Sequence, residues 1–210
     1  MDKRILAVSD IHGCADLLTT ILKQANYEPR SDQLILLGDY IDRGEKSYET
    51  VQLVKSLIQD GAIALMGNHE DMAIRAIESH GIEQWFRNGG RKTIRSYTQN
   101  KAFVDDDLYF FKSLPLYYET DNYIFVHAGL DPEEPLLENN ERDTLLWIRD
   151  DWLDCDYVGK PVIYGHTPAR TVTWDPKGKK IGIDTGAVHW GTLSCLELPS
   201  MIVHASMPGG

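Results

Sequence analysis

An α/β fold, a sheet covered by helices, is what this 210-residue sequence predicts, on three observations. Short runs of branched apolar residues recur and stop abruptly. Stretches with a 3.6-residue apolar period separate the early runs. Gly, Asp, His or Asn stands where each run stops. Runs of four or five apolar residues with such ends are the mark of strands buried on both faces.

The elements follow in order. Ile5–Val8 opens as a strand, and Leu17, Leu18, Ile21, Leu22 and Ala25 keep a helical period after Asp16, a candidate cap. Leu34–Leu37 is the second strand, and Val51, Val54, Leu57 and Ile58 form the second helix after Ser47. Ala62–Met66 is the third strand, and Met72, Ala73, Ala76 and Ile77 make a third helical stripe stopped at Gly81. A βαβαβα order implies a sheet covered by helices. Residues 82–120 break the rhythm with Asn88-Gly89-Gly90 and Asp105-Asp106-Asp107; they read as a helical cap over one edge, the Asp run as a solvated turn. Tyr123–Val126 and Val162–Tyr164 resume the strands, with the Pro-flanked stretch 133–143 between them a loop around Pro135. Ile181–Ile183 and Leu193–Leu196 are late strands. With no linker, repeat or low-complexity segment, residues 1–210 read as a single domain.

Composition narrows the function classes. Asp and Glu outnumber Lys and Arg by 32 to 21, a formal charge of −11, which argues against a nucleic-acid partner. A phosphorylated substrate remains open, because a local site can oppose the global sign. Cys14, Cys155 and Cys195 are widely spaced and odd in number, as expected in a reducing compartment. No apolar run approaches the ~18 residues that a membrane helix needs, and the N-terminal apolar run is too short for a signal peptide, so a cytoplasmic location and no membrane partner are expected.

The chemistry sits at the strand ends. Asp10-Ile11-His12-Gly13 follows the first, Gly38-Asp39-Tyr40-Ile41-Asp42-Arg43-Gly44 the second, and Gly67-Asn68-His69-Glu70 the third. His127-Ala128-Gly129 and Gly165-His166-Thr167 follow the next two. The carboxyl ends of parallel strands line one edge of a sheet, where ligands bind, so these side chains converge although far apart in sequence. Asp10, His12, Asp39, Asn68, His127 and His166 offer oxygen and imidazole donors without thiolate, a set suited to Mn²⁺, Fe or Zn²⁺. Six donors suit two ions sharing one carboxylate: Asp10 and His12, at i and i+2 on an extended end, hold the first. Asp39 bridges, and Asn68, His127 and His166 complete the second. Two such ions activate water for in-line displacement at phosphorus. Arg43 is placed to hold phosphate oxygens in a fork. His69 is placed to protonate the leaving oxygen, and Asp42 to orient it.

Read together, these motifs resemble the metal-dependent phosphoprotein phosphatases within the calcineurin-like phosphoesterases. Of the family patterns GDxHG, GDxxDRG, GNHE, HAG and GH, four are complete here, and Ser9 replaces the leading glycine of the first. Cys14, Asn88-Gly89-Gly90, Leu146-Trp147-Ile148-Arg149, Thr167-Pro168 and Asp184-Thr185-Gly186-Ala187-Val188 extend the likeness to the short lambda-type phage and bacterial branch, from Ile5 to about Leu198. The resemblance implies a β-sandwich flanked by helices and two divalent ions, Mn²⁺ first among them, on the six donors above. It implies His69 as general acid paired with Asp42, and Arg43 and Arg149 as phosphate ligands. The implied activity is hydrolysis of phosphoserine or phosphothreonine, and of phosphotyrosine as an extension, in proteins or peptides by direct attack of water. No regulatory subunit is implied. Met66 and Glu45 depart from common family residues, the one removing a phosphate-side arginine and the other adding a negative charge near the entrance.

Two other readings stand beside this one. A symmetrical dinucleoside tetraphosphate hydrolase shares the metal motifs, although that group usually varies the position of Asp42. A non-catalytic binding module on the same fold is expected to lose ligands or the acid, and all are intact here. His80, His189 and His204 read as structural, and Asp184-Thr185-Gly186 as a turn packed beneath the site. Trp85, Trp147 and Trp152 read as core or rim packing, and Cys14 as no nucleophile.

Overall fold

Leu6 and Val8 face one way along the first strand and Ala7 the other, and this alternation sets the layers of the molecule. The computed structural model describes residues 3–78, 81–134 and 136–206; His80 and Pro135 lie outside them. The chain begins β1 (Arg4–Val8), α1 (Ala15–Gln24), β2 (Asp32–Leu36), α2 (Ser47–Gln59), β3 (Ile63–Ala64) and α3 (Asn68–Ile77). It continues through α4 (Ile82–Arg87), α5 (Gly90–Gln99), a 3₁₀ turn at Val104–Asp107, and α6 (Leu108–Ser113). Then come β4 (Tyr117–Glu119), β5 (Ile124–Val126), a 3₁₀ turn at Leu137–Asn139, α7 (Arg142–Trp147), α8 (Asp150–Asp154) and β6 (Val162–Tyr164). The last elements are β7 (Thr173–Trp174), β8 (Lys180–Gly182), α9 (Ala187–Trp190), β9 (Ser194–Leu198) and β10 (Ile202–Ala205).

These strands form two mixed sheets, ordered β10-β9-β1-β2-β3 and β4-β5-β6-β8-β7. β1, β2 and β3 run parallel, as do β5, β6 and β8, while β9, β10, β4 and β7 pair antiparallel with their neighbours. Ala7, Ile35, Leu37 and Leu65 of the first sheet meet Phe125, Ile163, Ile181 and Ile183 of the second in the core between them. Leu6, Val8, Leu34 and Leu36 face outward onto α1, α2 and α3, and Val126, Val162 and Tyr164 face Leu145 and Trp152. Both faces of each central strand are covered, which is why the runs are apolar throughout. Among the described residues no helix is long and apolar enough to cross a membrane.

Several details differ from the sequence reading. Asp16 lies within the first turn of α1 rather than capping it, and Ser47 is the first residue of α2. The 82–120 stretch is helical only to Ser113 and ends in β4. Asp105 and Asp106 are exposed, as expected of a solvated turn, but Asp107 is buried, accepting hydrogen bonds from Tyr97 (2.7 Å), Gln52 (3.3 Å) and Lys55. A cation and a phenol on α2 and α5 supply the partners that make that burial tolerable. The 133–143 stretch carries the 3₁₀ turn, with Leu137 buried, and the start of α7. β4, β7 and β10 were not foreseen. Two are only two or three residues long, and β10 is an exposed edge strand with no apolar burial to mark it.

Candidate metal centre

The strand ends are laced to each other before any side chain is considered. The amide of His12 donates to Asp39 O and that of Gly13 to Tyr40 O, both at 2.8 Å, and Gly165 N donates to His127 O at 2.8 Å. Asp10, His12, Asp39, Asp42, Arg43 and His166 all take positive φ between 45° and 71°, a conformation that non-glycine residues seldom adopt. Only three other described non-glycine residues share it, Asn26, Lys101 and Met201. Backbone strain is therefore concentrated where the candidate ligands stand.

Two groups of buried donors result. Ligand atoms of His12, Asp39 and His69 lie within 4.8 Å of one another, and so do those of Asp39, His127 and His166. Asp39 belongs to both, as expected of a bridge. Its Oδ2 is 3.4 Å from His12 Nε2 and its Oδ1 3.5 Å from His127 Nε2. Asn68 Oδ1 lies 2.9 Å from His127 Nε2 and 3.1 Å from His166 Nδ1, joining the second group. Asp10 does not enter either triad: its Oδ2 accepts from Ser9 Oγ and from the amide of His166 (2.9 Å). Here the carboxylate that closes on His12 is Asp39, and the third member beside them is His69.

The chemistry of this donor set fits divalent cations. Nδ1 of His12 donates to Ile41 O (2.9 Å) and Nδ1 of His127 to Leu37 O (2.8 Å), so in the neutral rings each Nε2 carries a lone pair toward the centre. His127 Nε2 then faces another acceptor, Asn68 Oδ1, in a buried space, and a cation between them resolves that opposition. His69 Nε2 and His166 Nε2 are buried with no hydrogen-bond partner. Burial pushes Asp10 up to about 6, and burial together with Glu70 holds Asp39 well above the ordinary carboxylate range. Asp184, pushed up to about 8 by burial and by Asp10, adds a further buried carboxyl. Carboxylates gathered away from water call for positive charge.

Around this centre the remaining residues take definite places. His69 Nδ1 is 2.7 Å from Asp42 Oδ2, both fully buried. Burial pushes Asp42 up to about 7, while burial and the charge of Arg43 push His69 well below its ordinary value. Arg43 Nη1 donates to His12 Nε2 at 2.8 Å, so its guanidinium already stands at the centre. Arg149, exposed, donates to His166 O at 3.1 Å. Glu45 is exposed and paired with Lys92 at 2.7 Å. Met66 is buried in the core beside the helices.

Four contributors were not identified from sequence. Trp85, read as packing, donates its indole N–H to Asp42 at 2.9 Å, and Thr93 donates to the same carboxylate. Glu70 accepts from the amides of Tyr40 (2.8 Å), Asp39 (2.9 Å) and Gly67 (3.0 Å), pinning the second and third strand ends together. Asp184, read as part of a packed turn, accepts from Gly186 N at 2.9 Å and lies close enough to Asp10 for that carboxylate, after burial, to raise the pKa of Asp184. Position within the GNHE motif was the available signal for Glu70; none pointed to Trp85 or Thr93. Trp147, also read as packing, sets its ring edge-on to His166 with centroids 6.0 Å apart.

Comparison with known proteins agrees with this geometry. The family model described as calcineurin-like phosphoesterase matches residues 3–197. The chain is 32% identical to serine/threonine-protein phosphatase 2 of Salmonella typhimurium over 93% of each chain. It is 37% identical to a symmetrical bis(5'-nucleosyl)-tetraphosphatase of Vibrio parahaemolyticus, over 60% of this chain and 44% of that protein. In structure it superimposes on a putative diadenosine tetraphosphatase with a TM-score of 0.78, 23% identity, and coverage of 97% and 93%. With its two helix-flanked mixed sheets and its buried His and Asp triads, the chain belongs to the calcineurin-like phosphoesterases and is a metal-dependent phosphoesterase.

Proposed function

We propose that this phosphoesterase is a phosphoprotein phosphatase that hydrolyses phosphoserine and phosphothreonine monoesters, with phosphotyrosine as a further substrate. The observation that carries this reading is the buried Asp42–His69 pair, joined at 2.7 Å with His69 Nε2 turned toward the triads. The likeness to the Salmonella phosphatase over 93% of both chains supports it. A serine or threonine alkoxide is a poor leaving group and needs a proton as its P–O bond breaks.

His12, Asp39, Asn68, His127 and His166, with Asp10 close by, would hold two divalent ions, Mn²⁺ by preference, which would supply the Lewis acidity that makes water a nucleophile at neutral pH. The protein's own groups do the rest. Arg43 and Arg149 bracket the centre and hold phosphate oxygens by paired N–H donors, fixing the line of attack. The Asp42–His69 pair holds a proton; His69 delivers it from Nε2 to the leaving oxygen, which keeps the electron pair of the broken bond. Asp42 holds the ring at Nδ1 throughout.

A second reading, a dinucleoside tetraphosphate hydrolase, draws on the Vibrio relative. A side-by-side assay separates them: a phosphoserine peptide and diadenosine tetraphosphate, each with Mn²⁺ and with excess chelator. The expected result is kcat/KM at least ~10-fold higher for the peptide, with both activities abolished by chelator. Preference for the dinucleotide overturns the proposal.

A further inference from the structure

We infer that Trp85 and Thr93, brought in by α4 and α5, are positioning residues for proton transfer, acting on His69 through Asp42. The inference rests on the phosphatase reading above, and it gives the helical segment over the sheet edge a part in the reaction.

Asp42 has no solvent exposure, and its carboxylate takes donors from three elements. His69 Nδ1 reaches Oδ2 at 2.7 Å; Trp85 Nε1 lies 3.0 Å from Oδ1 and 2.9 Å from Oδ2; Thr93 Oγ1 donates to Oδ1. The Thr93 hydroxyl also accepts from the amide of Asp42 at 2.9 Å, so it grips both ends of that residue. Trp85 and Thr93 are themselves buried. A carboxylate held only by His69 is free to turn about its terminal torsion, carrying Oδ2 off the ring. Two further donors on the same group remove that freedom.

Indole has one donor and no acceptor, and a buried indole needs a partner for its N–H. A residue serving only to fill space there would need no nitrogen. The neighbouring turn is shaped to the same end. A Cβ on Gly90 would stand 2.6 Å from the Trp85 ring, and one on Gly89, at φ 111°, would stand 2.7 Å from Arg43 N. The turn therefore fits between the indole on one side and the phosphate-binding arginine on the other, and both glycines are needed for it to close.

Proton donation matters in proportion to how poor the leaving group is, which separates positioning from packing. The test measures kcat, KM and bound Mn²⁺ for Trp85→Phe, Thr93→Val and Thr93→Ser, on a phosphoserine peptide and on 4-nitrophenyl phosphate. For Trp85→Phe and Thr93→Val, kcat on the peptide is expected to fall about tenfold or more with KM within about twofold, against less than about threefold on the aryl ester. Metal content stays at the wild-type value, and Thr93→Ser, which keeps the hydroxyl, retains wild-type kcat. Thermal melts show which variants fold, and the Thr93 pair carries the test if Trp85→Phe does not. Equal losses on both substrates, loss of metal, or a change confined to KM overturns the inference. If the wild type turns over 4-nitrophenyl phosphate but not the peptide, the protein-substrate reading alone fails. The positioning role is then read on phenyl phosphate against 4-nitrophenyl phosphate, with the larger loss expected on the phenyl ester and equal losses overturning it.

Discussion

Gly67 lies against Asp39 with no room for a methyl group: a Cβ there would overlap Oδ1 and the amide nitrogen of Asp39 and stand 2.9 Å from Glu70 Oε2. Glycine at this point lets the end of the third strand meet the carboxylate that the two triads share. Gly67→Ala must push the two strand ends apart. A loss of about 1–3 kcal/mol in unfolding free energy is expected, with weaker Mn²⁺ binding. Urea denaturation and a Mn²⁺ titration check both; an unchanged midpoint with unchanged affinity contradicts the packing argument.

Glu70 is buried and accepts amide hydrogen bonds from Asp39, Tyr40 and Gly67. Replacing one carboxylate oxygen by an NH₂ group sets donor against donor. Glu70→Gln is expected to cost about 1–3 kcal/mol, read from urea denaturation, although it touches no substrate. A variant as stable as the wild type would show that the amides find other partners.

His69 stands in the first triad as well as in the pair with Asp42, and its two roles respond differently to substitution. His69→Asn is expected to lower turnover of a phosphoserine peptide about 10²-fold or more while both ions remain bound. Metal analysis beside the kinetics decides. Equal loss of metal and turnover makes His69 a ligand instead of an acid.

Far from the centre, Asp32 carries a pH-dependent share of the stability. Hydrogen bonds from Arg4 at 2.6 and 3.0 Å, then the amide of Glu28, hold its carboxyl below the ordinary value against the opposing effect of burial. A depressed folded pKa means the stabilisation is present above the unfolded pKa and is lost as pH falls through the folded one. Asp32→Asn is expected to cost about 1 kcal/mol at pH 7, discounted because Arg4 is partly exposed, and little at pH 2. Denaturant midpoints at the two pH values test it; a difference that does not shrink on acidification refutes the pairing.

The central strands and their helices were legible because burial on both faces leaves an uninterrupted apolar run, as at Leu34–Leu37. The edge strands were not: β10 has Ile202 and Val203 exposed and pairs only with β9, so no burial pattern announces it. At the centre, His12, Asp39, Asn68, His127 and His166 were legible because each follows a strand end, and strand order brings them together. Glu70, Trp85 and Thr93 were not assigned roles, because theirs depend on hydrogen bonds to groups remote in sequence. Trp85 and Asp42 are 43 positions apart, and nothing local distinguishes an indole aimed at a carboxylate from one buried as filler.

Two triads sharing Asp39 are expected to form a two-ion site that carries phosphate-ester hydrolysis. The most direct measurement strips the protein with chelator and titrates Mn²⁺ back, recording bound metal and phosphate release from a phosphoserine peptide in the same samples. Two equivalents per chain are expected, with turnover rising as the second binds and Asp39→Asn abolishing both. Saturation at one equivalent, or turnover by the stripped protein, would show that the shared triads are not a two-ion catalytic site.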